Sequence, residues 1–288
     1  MRSVKQIKKA FKVNMGGIVL DQALPFNGTE QIDPFLLIHH WSDRFKGGQK
    51  QKNVGVPPHP HRGFAPVTLV FKGAVHHRDS IGNSDVIEEG GTQWMNSGNG
   101  IVHSERPKKE IAEEGGDFEI IQFWVNAPAS KKTNPADYQP LRAEDMQIIK
   151  SEDGKCAIGL VAGELNDKRA EIDTYSQMTV LRLDMEKDGI LNIPLDSQFN
   201  ALIYVLDGEV QLQGQIARDR DLIWFNNDGK SIELSATEQT RAILLSGKPI
   251  GEPLVTYGPF VMNTEREIAQ AIHDYQQGKM GTLTEEFE

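Results

Sequence analysis

Seven of the eight histidines in this 288-residue chain lie before residue 106, and two pairs of residues there share one spacing, His59-Pro60-His61 and His103-Ser104-Glu105. In extended chain, residues i and i+2 point to one face, so each pair offers two donor atoms to one point. Two such pairs on neighbouring strands would place three imidazoles and one carboxylate around a single cation. That set suits iron, nickel, copper, manganese, cobalt or zinc, whereas calcium and magnesium prefer oxygen ligands throughout. A lone H-x-H is as often a surface loop as a metal site, but two pairs with a strand-rich stretch between them favour the metal. His39-His40 and His76-His77 differ, because consecutive strand residues face opposite ways and each pair can send only one ring inward. Packing, or support of the ligands, is the expected role for those two pairs.

The elements that must carry these residues read as strands. Between residues 16 and 127 short runs of Val, Ile, Phe and Leu alternate with Gly, Asn, Asp and Pro, the pattern of an all-β barrel or sandwich. Residues 64–71, 74–79, 86–88, 92–95 and 119–125 each suit a strand, with turns at Gly82-Asn83 and Gly98-Asn99-Gly100. A polar passage over residues 128–142 breaks the rhythm, which places a domain junction near Ala136. Residues 1–136 are then a metal-carrying domain, and residues 137–288 a second domain without metal. The β pattern resumes there at 178–185, 190–193, 201–206, 209–212, 222–225, 232–234 and 241–245. Asp207-Gly208 reads as a hairpin turn and parallels Lys72-Gly73, so the second half looks like a second copy lacking the histidines. Thr264 followed by Glu267 forms a capping box, and Ile268, Ala271, Ile272 and Tyr275 recur at helical spacing up to Gly278. That terminal helix, counted with the second domain, carries His273.

Composition narrows the partners. Against 41 acidic residues stand 31 basic ones, a net charge of −10 that provides no footprint for direct binding of nucleic acid or an anionic membrane. Protein or small-molecule partners are expected instead. No apolar run approaches the roughly 20 residues of a membrane helix, and the lysine-bearing start of the chain reads as mature sequence. The single cysteine, Cys156, rules out an intramolecular disulfide and fits a cytoplasmic protein.

Several stretches together carry a family resemblance. Pro57-Pro58-His59-Pro60-His61-Arg62-Gly63-Phe64, Val67-Thr68-Leu69-Val70-Phe71-Lys72-Gly73, His77-Arg78-Asp79-Ser80, Gln93-Trp94-Met95 and Gly98-Asn99-Gly100-Ile101-Val102-His103-Ser104-Glu105 resemble the signature of the pirin family. Asp33-Pro34-Phe35-Leu36-Leu37-Ile38 and Gly258-Pro259-Phe260-Val261-Met262-Asn263-Thr264 extend the resemblance over nearly the whole chain. It implies a bicupin, two cupin-type antiparallel β-barrels with a C-terminal helix. One metal is implied, in the N-terminal barrel, held by His59, His61, His103 and Glu105. Iron(II) is the expected ion, with Ni, Mn, Co, Cu or Zn compatible.

The activity implied is that of a quercetin 2,3-dioxygenase, opening a flavonol, a small aromatic substrate, with O₂. The alternative is a non-catalytic regulator whose metal or redox state tunes binding to a protein partner; a closed structural zinc site is a third reading. Family members commonly carry Glu where this chain has Ala65, so a candidate proton acceptor is missing, and Glu105 becomes the candidate proton shuttle. Phe64, Trp94, Met95, Phe123 and Trp124 are candidates to line a pocket for a flat substrate, although strand aromatics more often fill a core.

Overall fold

A computed structural model of the chain describes residues 1–287, and its residue contacts gather into two units. One comprises Met1–Val13, Asp21–Pro34 and Asp145–Pro249; the other comprises Asn14–Leu20, Phe35–Glu144 and the chain from Ile250 onward. A single cut near residue 136 therefore does not separate them. The N-terminal strand Val4–Lys9 pairs with Asp221–Phe225, and the terminal helix packs in the unit that holds the histidines.

In the histidine unit, five strands of the larger sheet lie side by side in the order Asp137–Leu141, Thr92–Asn96, Phe64–Lys72, Gly116–Asn126 and Phe35–Phe45. A four-stranded sheet holds Val56–His61, Ile101–Pro107, Ala74–Asp79 and Ser84–Glu88 in that order. All of these pairings are antiparallel. The other unit repeats the plan, with a seven-stranded sheet and a four-stranded one made of Ile190–Pro194, Ser231–Ala236, Glu209–Leu212 and Gln215–Arg218. The two-copy, all-β architecture is as the strand pattern predicts. Leu181, Ile203, Ile223 and Leu244 are fully buried at the centre of the second copy, each contributing about 1.5–3 kcal/mol by leaving water.

The two glycine turns taken for hairpins have another role. Phe64–Lys72 and Ala74–Asp79 belong to different sheets, as do Asn200–Asp207 and Glu209–Leu212, so Gly73 and Gly208 mark corners where the chain leaves one sheet for the other. Both adopt positive φ, 76° and 87°. A Cβ at Gly73 would stand 2.7 Å from the Asp117 carbonyl oxygen, and one at Gly208 would stand 2.4 Å from that of Gln239. Glycine is required by close backbone approach at both corners. The short helix Lys109–Glu114 and the strand Asp137–Leu141, inside the polar passage, are further elements that the sequence pattern does not reveal.

The terminal helix Glu265–Gln276 begins as predicted. Thr264 Oγ1 accepts from the Glu267 backbone N–H at 3.3 Å, and Glu267 Oε2 accepts from the Asn263 N–H at 3.0 Å. Ile268 and Ala271 are buried against Val102, Phe260, Met262 and Met280. Tyr275, expected on the docked face, is 41% exposed. Asp274 is buried in its stead because it meets Arg62, whose Nη1 donates to Asp274 Oδ2 at 2.9 Å, with both residues largely removed from water. Hydrogen bonds from Lys279, then Arg62 and Gln270, hold the Asp274 carboxyl well below the usual carboxylate range. A carboxylate depressed in the folded state stabilises above its unfolded pKa, near 4, and loses that contribution as pH falls toward the folded value. Asp274→Asn is thus expected to cost about 1.5–3 kcal/mol at pH 7, and melting curves should show the gap from wild type narrowing below about pH 4.

Candidate metal centre

His59 and His61 close the strand Val56–His61, while His103 and Glu105 lie in the adjacent Ile101–Pro107. Antiparallel pairing sets His103 opposite His59. The period-two spacing and this register bring three ring nitrogens to one place. His59 Nε2 stands 3.1 Å from His61 Nε2 and 3.0 Å from His103 Nε2, and ligating atoms of all three lie within 4.8 Å of one another. Among the described residues this is the one group of three or more His, Cys, Asp or Glu so arranged.

The proton positions decide what the cluster can hold. His59 Nδ1 lies 2.8 Å from the Pro57 carbonyl oxygen, and His61 Nδ1 lies 3.4 Å from that of Pro259. Carbonyls only accept, so both rings carry their proton on Nδ1 and present an Nε2 lone pair. The 3.1 Å contact between those two nitrogens then has no proton to share. Burial lowers the pKa of all three rings, those of His61 and His103 well below the usual value, so protonation is disfavoured. Three neutral imidazoles converging on one point fit a divalent transition metal.

Glu105 lies outside the group of three. Its Oε1 accepts from Thr68 Oγ1 at 2.8 Å and from Gln93 Nε2, and its Oε2 accepts from Gln122 Nε2 at 2.7 Å. These three partners form one row across three strands, since Thr68 pairs with Gln93 on one side and Gln122 on the other. Trp124 Nε1 donates to Gln122 Oε1 at 3.2 Å, which turns the Gln122 amide nitrogen toward Glu105. Behind the cluster, the buried Lys132 donates to the carbonyls of Gly63 and Val261 and to Asn126 Oδ1, at 2.6–2.9 Å, so it ties the turn after His61 to the segment that carries Pro259. Burial pulls its pKa down to about 8. Thr68 and Gln93 lie in stretches that carry the family resemblance, but nothing in the sequence joins them to Glu105, and Gln122 and Lys132 do not stand out at all.

A cavity of about 300 Å³ opens onto His59, His61 and Glu105, walled chiefly by Trp41, Phe118, Ile120 and Trp124. Of the aromatics expected to line it, Trp124 does. Phe64 stands behind, its ring 4.3 Å from that of Trp124, while Trp94, Met95 and Phe123 are buried elsewhere in the unit. Alternation explains the split, because Gln122 and Trp124 share one face of their strand and Phe123 takes the other. The same rule relocates position 65. Ala65 pairs with Val125, whereas Pro66 and Thr68 oppose Trp124 and Gln122, so Ala65 faces away from the cavity. A carboxylate there is no candidate for proton transfer in it. His39 lines the cavity, its pKa lowered to about 4 by burial, and its neighbour His40 faces Glu119 at 3.1 Å. That pair does send only one ring to the site.

Comparison with known proteins identifies the family. Residues 17–125 match the family model described as Pirin, and residues 180–281 match the Pirin C-terminal cupin domain. A Pseudomonas aeruginosa protein named as a candidate quercetin 2,3-dioxygenase is 34% identical over 251 residues, 87% of each chain. The chain belongs to the pirin family. Human pirin is 31% identical over 88% of this chain and 84% of its own length. The crystal structure of a quercetin 2,3-dioxygenase from Acinetobacter baumannii superposes with a TM-score of 0.91 at 31% identity, covering 99% of this pirin and 100% of that protein.

Two measurements follow from the geometry. Elemental analysis of the purified protein is expected to find one transition metal per chain, and His59→Ala with His61→Ala is expected to abolish it. Ala65→Glu is expected to lower the melting temperature, since it buries a carboxylate without a partner, while leaving metal content and any turnover unimproved.

Proposed function

We propose that this pirin is a metal-dependent dioxygenase acting on a flavonol-like aromatic with O₂, of the quercetin 2,3-dioxygenase type. The observation that supports it best is the apolar cavity that ends on His59, His61 and Glu105. His59, His61 and His103 would hold the metal, with Glu105 completing the set. A bound divalent metal, here proposed as iron(II), would supply Lewis acidity and the electron exchange that O₂ chemistry requires. A cytoplasmic setting is in keeping with it, as Cys156 is buried and free.

The protein's own groups divide the remaining work. Trp41, Phe118 and Trp124 offer flat apolar surface on which a polycyclic substrate can lie, and they exclude water from the reacting edge. Glu105 is the group placed to take the proton of the substrate hydroxyl that reaches the histidines. Its carboxylate is turned and steadied by Thr68, Gln93 and Gln122, so it meets that proton without first reorganising. Gln122 is fixed in turn by Trp124, which couples the wall of the cavity to the orientation of the base.

Oxygen uptake by the iron-loaded protein with quercetin tests the proposal. Wild type is expected to turn over, and Glu105→Gln is expected to lose about 10²–10⁴ in rate while retaining metal on the three histidines. Trp124→Ala is expected to raise KM. If iron-loaded wild type consumes no oxygen with quercetin, the regulatory reading, in which metal state tunes a protein partner, replaces this one.

A further inference from the structure

Two buried nitrogens beside the cluster lack a hydrogen-bond partner within the protein: His103 Nδ1 and His77 Nδ1. They belong to paired strands. His103 lies opposite Asp79 and Glu105 opposite His77, so all four side chains share one face. The His77 and His103 rings stand 5.4 Å apart, and both residues are essentially inaccessible to solvent.

Their protonation states are complementary. Asp79 Oδ2 lies 2.9 Å from His77 Nε2, and a carboxylate accepts, so His77 carries its proton on Nε2 and leaves Nδ1 as a bare acceptor. His103 directs Nε2 toward His59; used there as a ligand, it carries its proton on Nδ1 and has a donor to place. One unsatisfied donor and one unsatisfied acceptor thus sit on neighbouring buried rings whose centroids are 5.4 Å apart, and leaving both unpaired would cost about 1–3 kcal/mol each. Asp79 is itself held firmly. Its Oδ1 accepts from the backbone N–H groups of Ile81 and Asn83 at 3.1 and 3.0 Å, and its Oδ2 also accepts from Asn83 Nδ2 at 2.8 Å. On the far side of His77, the Tyr138 ring stacks at 4.2 Å and 10° and fixes the plane of the imidazole.

We infer that Asp79 and His77 form a positioning dyad for His103, in which the His103 Nδ1–H is received by His77 Nδ1 through one bridging water. The dyad selects the tautomer of His103, fixes its ring and raises its basicity toward a metal. Supporting groups of this kind typically change metal affinity by about 10–100-fold. The inference rests on the metal reading of the histidine cluster and adds a function to two residues outside it.

Asp79→Asn separates the dyad from simple packing. The Asn oxygen must stay on the two backbone N–H groups, so its NH₂ turns to His77 Nε2. His77 is then forced to protonate on Nδ1, where it opposes the His103 proton. His77→Phe keeps the stack on Tyr138 and removes the acceptor. Cobalt(II) binding by the full chain, measured against a competing chelator, is expected to weaken about 10–100-fold in both variants, with a changed cobalt ligand-field spectrum. Tyr138→Phe, which keeps the ring, should match wild type in both. Histidine ¹⁵N shifts of wild type loaded with diamagnetic zinc should show His77 protonated on Nε2 and His103 on Nδ1; the reverse at either ring would overturn the inference even if a variant fails to fold. Wild-type cobalt affinity and spectrum in folded His77→Phe would overturn it too. Failure of wild type to bind cobalt at all would instead sink the metal reading.

Discussion

Ring nitrogens of three buried histidines gathered at one place, His59 Nε2 standing 3.1 Å from His61 Nε2 and 3.0 Å from His103 Nε2, are the constraint around which the histidine unit is organised. The lone pairs of His59 and His61 oppose each other there, and a cation between them would relieve the contact. The Pro57 and Pro259 carbonyls take the protons of two rings and so commit their other nitrogens to the cluster. Burial then disfavours protonation of the rings. The row of Gln93, Thr68 and Gln122 extends the same logic to the carboxylate, supplying three donors that orient Glu105 in a largely apolar space. On the metal reading proposed above, stability is given up locally to hold a geometry that a bound ion would complete.

The second copy of the fold shows what the scaffold is without that demand. The same pair of sheets encloses a core of aliphatic side chains that includes Leu183, Ile193, Val205 and Leu234. Nothing there needs a hydrogen bond, so nothing fixes particular residues beyond size and branching. In the histidine unit the histidine cluster and the residues around Glu105 are polar and interdependent, and each depends on strand register: a slip of one residue would turn every candidate ligand to the opposite face. One plan thus serves as a packed core in one copy and a chemical site in the other.

How much of this was legible in the sequence depended on distance along the chain. The i, i+2 pairs at His59 and His103 are local, and local alternation suffices to bring their side chains to one face. The capping box at Thr264 and Glu267 is local too. What stayed hidden requires register between strands, as with the Gln93–Thr68–Gln122 row, the face taken by Ala65, and the neighbourhood of His77 and His103. Val4–Lys9 was obscured by its lysines and Asp137–Leu141 by Pro140. Both are edge strands in their sheets, where exposed positive charge and a proline are tolerated because one side has no ladder to break. The corner glycines looked like hairpin turns because positive φ and close approach are common to both settings.

The interleaving of the two units along the chain sets an order of events during synthesis. His61 is oriented by a carbonyl 198 residues further on, and Arg62 beside it is neutralised by Asp274, 212 residues later. At ribosomal rates near 5–20 residues per second, roughly 10–40 s separate the appearance of His61 from that of its acceptor. Throughout that interval the first histidines are present while their final orientation is not. The contacts that orient His61 and pair Arg62 are therefore completed late, after the aliphatic unit's last strand has been made.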